Sequence, residues 1–129
     1  MKVSIVLPAK NESAAIGQTI ECIKQLSIAH EIIVVNDGST DQTKQVAETA
    51  GAKVVTHPYS KGNGAAIKTG ARTATGDIIV FMDADGQHDP NDISRLIEKI
   101  EQGYDLVVGA RQKGSQASIG RGIANALYN

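Results

Sequence analysis

The chain has 129 residues, 41% of them hydrophobic and 21% charged, which bounds it to one globular domain with enough length for a real core. Its 13 basic and 14 acidic residues leave a formal net charge of -1, which argues against a nucleic-acid partner or any other polyanion. Cys22, the single cysteine, excludes an internal disulfide and a cysteine metal cage; with no signal peptide or membrane-span run, a cytoplasmic setting is expected.

Val3 to Leu7 reads as a first strand, closed by Pro8, which has no amide hydrogen to continue a ladder. Asn11 is placed to cap the helix that follows, where Ile16, Ile20 and Ile23 recur at helical spacing and the stripe ends near Leu26. Cys22 falls on the buried side of that helix. Glu31 to Val35 is a second, β-branched strand. Asn36-Asp37-Gly38-Ser39-Thr40-Asp41 then turns the chain, and Ser39 or Thr40 is expected to cap a second helix running to Gly51.

Lys53 to Thr56 makes a short third strand, and Tyr59 to Gly64 a flexible, basic loop. Ala65 to Ala74 is alanine-rich with Gly70 inside it, which predicts a third helix packed closely on the sheet and ending at Gly76. Ile78 to Met82 is apolar without alternation, as in a central strand covered on both faces. Ile93, Leu96, Ile97 and Ile100 mark a fourth helix stopped by Gly103, and Leu106 to Gly109 a fifth strand. The chain stops at Asn129 without a helix-stop signal, and on that ground a truncated chain is expected.

Strands alternating with helices through short connections imply parallel pairing, right-handed crossovers and a doubly wound α/β sheet. If the first and fourth strands are neighbours at the order reversal, their carboxyl ends open a crevice between 8–12 and 83–87. Asp83 and Asp85 stand just past the fourth strand, and two carboxylates with open positions suit a hard cation such as Mg²⁺ or Mn²⁺. Asp residues after strands also serve turns and helix caps, as Asp89-Pro90 is placed to do.

Other signatures fail. The first strand-to-helix turn, Pro8-Ala9-Lys10-Asn11-Glu12, has no glycine for dinucleotide binding, and Ile67 stands where a P-loop needs its second glycine. An EF-hand register from Asp83 places His88 at the obligatory glycine. His30 and His57 read as surface or helix-end residues. His88 lies nearer the carboxylates, but Asp and Gln oxygens suit a hard ion better.

Leu7-Pro8-Ala9-Lys10-Asn11-Glu12, Val35-Asn36-Asp37-Gly38-Ser39-Thr40-Asp41, Lys61-Gly62-Asn63-Gly64 and Asp83-Ala84-Asp85-Gly86-Gln87-His88-Asp89-Pro90, in this order, resemble a family 2 glycosyltransferase. The likeness is strongest to the dolichyl- or polyprenyl-phosphate sugar synthase branch and covers nearly the whole chain.

The resemblance implies a GT-A fold, a Rossmann-like three-layer α/β/α arrangement with a mostly parallel sheet. Residues 1–129 would form its N-terminal, nucleotide-sugar-binding part. It implies inverting transfer of a sugar from a nucleotide-diphosphate donor (GDP-mannose, UDP-glucose or UDP-GlcNAc) with Mg²⁺ or Mn²⁺. By matching position, Pro8, Ala9, Asn11 and Glu12 would hold the nucleoside and Asp37 would bond its base. Asp83 would meet the ribose or the metal, Asp85 and Gln87 would coordinate the ion, and Arg111 would face the diphosphate. Asp83, Asp85 and Arg111 are thus the candidate catalytic residues. Lys61 and Ala84 join the nucleotide-sugar set, with Lys61 equally readable as a solvated loop lysine. Arg121 matches a basic position that contacts phosphate in the polyprenyl-phosphate branch. Lys10 stands where the family often carries an aromatic residue.

The acceptor is expected to be a polyprenyl or dolichyl phosphate at the cytosolic membrane face, with peripheral membrane association through a region C-terminal to residue 129. A sugar hydroxyl in glycan synthesis, or donor binding without turnover, are the alternatives.

Overall fold

The computed structural model describes residues 2–26, 30–82, 84, 95 and 98, and the backbone of 106–108. Its elements are β1 (Val3–Ala9), α1 (Ile16–Lys24), β2 (His30–Asp37), α2 (Thr43–Thr49), β3 (Lys53–His57), α3 (Asn63–Thr73), β4 (Ile78–Phe81) and β5 (Leu106–Val108). The strands form a 5-stranded sheet in the order β3-β2-β1-β4-β5, and every pairing is parallel. The expected doubly wound α/β arrangement is therefore present, with β1 and β4 adjacent where the strand order reverses. Arg95 and Glu98 are helical and exposed, while the rest of the expected fourth helix lies outside the described residues.

Both faces of the sheet are covered, which is why its strands are apolar runs and not alternating patterns. Val3, Ile5, Leu7, Ile32, Val34, Ile78 and Val80 pack on one face against Ile16, Ile20 and Ile23 of α1 and Ala47 of α2. Val6, Ile33, Val35 and Phe81 pack on the other against Ala66 of α3. Cys22 is half-buried against the first of these clusters.

Gly70 brings α3 down onto β1. A Cβ at that position would overlap the Val6 side chain, so the small residue sets the helix-to-sheet distance. Gly70→Ala is expected to cost about 1–2 kcal/mol even after the helix-propensity gain of about 1 kcal/mol, and denaturant melts read this directly. An unchanged midpoint would contradict the close packing.

The edge opposite the functional end is tied by Glu31. Its carboxylate accepts from the Ser4 hydroxyl at 2.5 Å, and from the Thr75 amide and hydroxyl at 2.6 and 2.9 Å. Ser4 Oγ in turn accepts from the Gly76 amide at 2.7 Å. This anchors the loop entering β4, and with it the register that places the far end of β4 beside β1.

Several expected boundaries move. β1 does not close at Pro8 but continues through Pro8↔Val35 to Ala9↔Asn36. The Val6 carbonyl accepts from the Met82 amide, so residue 8, two positions on, turns its backbone toward β4 as well. Pairing of β1 with β4 ends at Val6↔Phe81, so the missing amide hydrogen of Pro8 costs no ladder bond. Asn11 does not cap α1, which starts at Ile16 after Ala15. Neither Ser39 nor Thr40 caps α2, which starts at Thr43 after Gln42. α3 starts at Asn63, two residues before the expected Ala65, behind a Gly62 whose φ of 97° suits only glycine.

Candidate active site

The carboxyl ends of β1 and β2 release two loops that are stitched together, and this stitching consumes the polar residues expected to cap helices. Asn11 sits in the left-handed region at φ 54°, a conformation asparagine tolerates better than most residues. From there its amide donates to Ser39 Oγ at 2.9 Å, and its side-chain oxygen accepts from the Thr40 amide at 2.8 Å. The Glu12 amide donates to Thr43 Oγ1 at 2.9 Å, and the Ser13 amide to Asp41 at 3.2 Å. Asp41 also accepts from the Thr43 amide at 2.9 Å and from the Thr43 hydroxyl. The Thr43 hydroxyl foremost, then the Ser13 side chain and the Thr43 and Ser13 amides, lower the Asp41 carboxyl from its ordinary 3.8 to about 2.

Asp37 closes β2 and is 5% exposed. The parallel register sets it beside His57, the last residue of β3, on the face covered by α3. His57 Nδ1 lies 2.8 Å from Asp37 Oδ1, and the Lys61 amide donates to the same oxygen at 2.8 Å. Asp37 Oδ2 accepts from the Gly62 amide at 3.0 Å and the Ser60 hydroxyl at 3.1 Å. Gly38 makes this loop packing achievable: it has φ 71°, and a Cβ there would stand 2.5 Å from the Ser60 nitrogen.

His57 is thus not a surface histidine. It is 6% exposed, and its Nε2 lies 2.8 Å from Thr69 Oγ1 of α3.

Burial alone would raise the Asp37 carboxyl. The Lys61 amide, His57, the Gly62 amide and the Ser60 hydroxyl outweigh it and lower the group from its ordinary 3.8 to about 2. A folded value below the unfolded one means stability that is complete above 3.8 and lost as pH falls through about 2. We expect about 2 kcal/mol of stability to disappear over that window. Asp37→Asn should flatten this part of the acid-unfolding curve; an identical acid dependence in the variant would contradict the assignment.

Beside Asp37 opens a cleft of about 320 Å³, lined by Pro8, Ala9, Lys10, Asp37, Ser60, Gly62, Asn63 and Ala66. It lies at the carboxyl ends of β1 and β2, next to the end of β4. This volume is at the lower end of small-ligand pockets, about 300–1,000 Å³. Of the candidate site residues, Pro8, Ala9 and Asp37 are brought together in its wall. Lys61 is exposed at the rim, its Nζ 5.4 Å from the centre of the Tyr59 ring. Asn11 and Glu12 stand in the stitched loops beside it. Ala84 is 3% exposed in the core cluster on the α1 and α2 face. Asp83, Asp85, Gln87, Arg111 and Arg121 lie outside the described residues, as does His88.

Lys10, Ser60, Gly62, Asn63 and Ala66 in the wall, and His57 behind it, were not among the site residues expected from the sequence. For His57 the signal is parallel register, since it and Asp37 are the terminal residues of adjacent strands. Among the described residues no group of three or more His, Cys, Asp or Glu side chains could hold a metal ion. Asp37 has both oxygens engaged, each by two donors. Asp83, Asp85 and Gln87, whose oxygen donors would suit Mg²⁺ or Mn²⁺, lie outside the described residues.

Comparison with known proteins bears on the family and the fold. The model of glycosyl transferase family 2 matches residues 4–125. The undecaprenyl-phosphate 4-deoxy-4-formamido-L-arabinose transferase of Proteus mirabilis is 37% identical over 140 aligned positions, taking in 99% of this chain and 42% of that protein. The Mycobacterium tuberculosis glucosyl-3-phosphoglycerate synthase, crystallised with Mn²⁺, UDP-glucose and phosphoglyceric acid, superposes with a TM-score of 0.69 at 34% identity. That match covers 79% of this chain and 40% of the synthase. The same synthase with Mg²⁺ and UDP gives a TM-score of 0.66 at 32% identity, covering 77% of this chain and 39% of that one. The chain thus spans less than half the length of these relatives. The α/β/α arrangement is the GT-A fold of these structures, and the chain belongs to glycosyl transferase family 2.

Proposed function

We propose that this chain is the donor-binding half of a metal-dependent, inverting transferase that moves a sugar from a nucleoside diphosphate to a polyprenyl phosphate. The observation that carries the reading is the cleft at the ends of β1 and β2, walled by Pro8, Ala9, Lys10 and Asp37, with Lys61 at its rim. The nucleoside lies in that cleft, with Asn11 and Glu12 fixing its entrance. The two lysines draw the diphosphate by charge. Asp83 meets the ribose or the ion, and Arg111 sets a fixed bidentate cation on the diphosphate. Arg121 holds the phosphate of the acceptor.

Asp83, Asp85 and Gln87 would hold the Mg²⁺ or Mn²⁺, an assignment supported by the ions in the neighbours' crystals. When bound, such an ion offsets the negative charge that builds on the departing nucleoside diphosphate. The acceptor oxygen forms a bond to the anomeric carbon as the bond to the diphosphate breaks. A phosphate monoester is already anionic near neutral pH, so this chain need not supply a general base.

The name of the Proteus mirabilis relative supports a polyprenyl phosphate acceptor. A second reading, a hydroxyl acceptor, is favoured by the phosphoglyceric acid seen with the neighbouring synthase. No helix among the described residues is long and apolar enough to cross a membrane. We place the reaction at the cytosolic membrane face, with the lipid part of the acceptor remaining in the bilayer.

The test is acceptor-dependent sugar transfer. The protein carrying this chain is incubated with Mn²⁺ and GDP-mannose, UDP-glucose or UDP-GlcNAc, with and without undecaprenyl phosphate. Release of the nucleoside diphosphate from one donor only when the lipid phosphate is present supports the reading. Equal release with a sugar hydroxyl in its place selects the second reading, and no release with any donor overturns both.

A further inference from the structure

The family resemblance gives Asp37 to the base, yet its carboxylate is filled by the protein itself. A carboxylate offers about four acceptor positions. His57 and the Lys61 amide occupy Oδ1, and Ser60 and the Gly62 amide occupy Oδ2. Three of these donors belong to the loop that forms one side of the cleft, so the carboxylate pulls that loop into shape. His57 is the remaining donor and comes from the opposite, buried side. Its ring is held at both nitrogens, by Asp37 at 2.8 Å and by Thr69 at 2.8 Å. Because the carboxylate can only accept, Nδ1 carries the hydrogen toward it.

From this geometry we infer that His57 is a positioning residue for the nucleotide pocket. It orients the Asp37 carboxylate from behind, and Asp37 transmits that orientation to the Lys61 and Gly62 amides at the lip of the cleft. His57 lies behind the cleft and is not among its lining residues. The arrangement ties β2, β3 and α3 together at one point, so a shift of the ring is passed to the loop and not absorbed locally. The inference rests on the reading of the cleft as the nucleotide pocket, but its structural core does not.

Two substitutions separate the ring's two contacts. His57→Asn places an amide nitrogen near the Nδ1 position and keeps the bond to Asp37. His57→Gln places one near Nε2, keeps the Thr69 side and loses Asp37. Amide hydrogen exchange at Lys61 and Gly62 is measured with no ligand, and the Kd for UDP and GDP with Mn²⁺ is measured on the folded fraction. We expect His57→Gln to speed exchange at both amides and weaken nucleotide binding about tenfold, with kcat falling less than KM rises. His57→Asn should restore both to within about twofold of the parent.

Should the glutamine variant not fold, Thr69→Val frees the ring from the other side. It is expected to move the same two amides in the same direction by a smaller factor. Equal exchange and equal Kd in the asparagine and glutamine variants would overturn the inference, as would a loss of melting temperature with both readouts unmoved. If the parent binds neither nucleotide, the reading of the cleft fails, while the exchange measurement still decides the role of His57.

Discussion

Asp37→Ala is expected to lower the melting temperature by about 10 °C and to remove measurable nucleotide binding. The substitution deletes a buried acceptor that serves four donors at once. Each buried donor left without a partner costs about 1–3 kcal/mol, and some of these losses overlap as the loop relaxes. A net loss of about 3 kcal/mol corresponds to the stated shift for a domain of this size. The exposed Ser60 and Gly62 can turn to solvent, so most of the cost falls on His57, held between β3 and α3. Binding is lost for a separate reason, since Ser60, Gly62 and Asn63 wall the cleft and their loop is shaped by this one carboxylate. Differential scanning calorimetry and a nucleotide titration read the two effects. A melting shift under about 2 °C would mean that the network carries little of the local stability.

The second large effect concerns the ion. For the parent, UDP or GDP with Mn²⁺ at about 100 times its dissociation constant adds roughly 2.7 kcal/mol, a melting shift on the order of ten degrees. Asp85→Ala is expected to abolish the metal-dependent part of that shift and, in the protein carrying this chain, sugar transfer with it. The argument is one of placement and donor type. β4 pairs with β1 up to Val6↔Phe81, so the chain leaves β4 at the same edge of the sheet as the cleft. Asp37 already accepts from four donors of the protein, which leaves the ion no free position there. An unchanged Mn²⁺-dependent shift in Asp85→Ala would remove this residue from the ion site.

The architecture was legible because unalternated apolar runs such as Ile32 to Val35 and Ile78 to Phe81 occur where both faces of a parallel sheet are covered. Crossover rules fix the hand of each connection and not the strand order, so the adjacency of β1 and β4 was a condition that the observed pairing supplies. The misread features all depend on partners distant in sequence. Pro8 ends a strand only if its missing amide hydrogen faces a neighbour, and here the neighbouring pairing has already ended. Asn11, Ser39 and Thr40 have the chemistry of helix caps, but they bond to one another across two loops. His57 looked ordinary because Asp37 lies 20 residues earlier, and only the register of two short strands brings them together.

The same logic separates the two halves of the candidate site. Pro8, Ala9 and Asp37 share the wall of one cleft, whereas Asp83, Asp85, Gln87, Arg111 and Arg121 fall outside the described residues. The residues that build the loop beside the cleft, Gly38, His57 and Gly62, work through backbone shape and buried bonds. Short motifs encode such roles weakly, because no side chain need touch the ligand.

The most direct measurement is a crystal structure of the protein with a nucleoside diphosphate and Mn²⁺. The account predicts the nucleoside between Pro8-Ala9 and the Ser60–Asn63 loop, with the ion bound by Asp83 or Asp85 next to the diphosphate. A nucleotide seated elsewhere, or an ion remote from the end of β4, would contradict it.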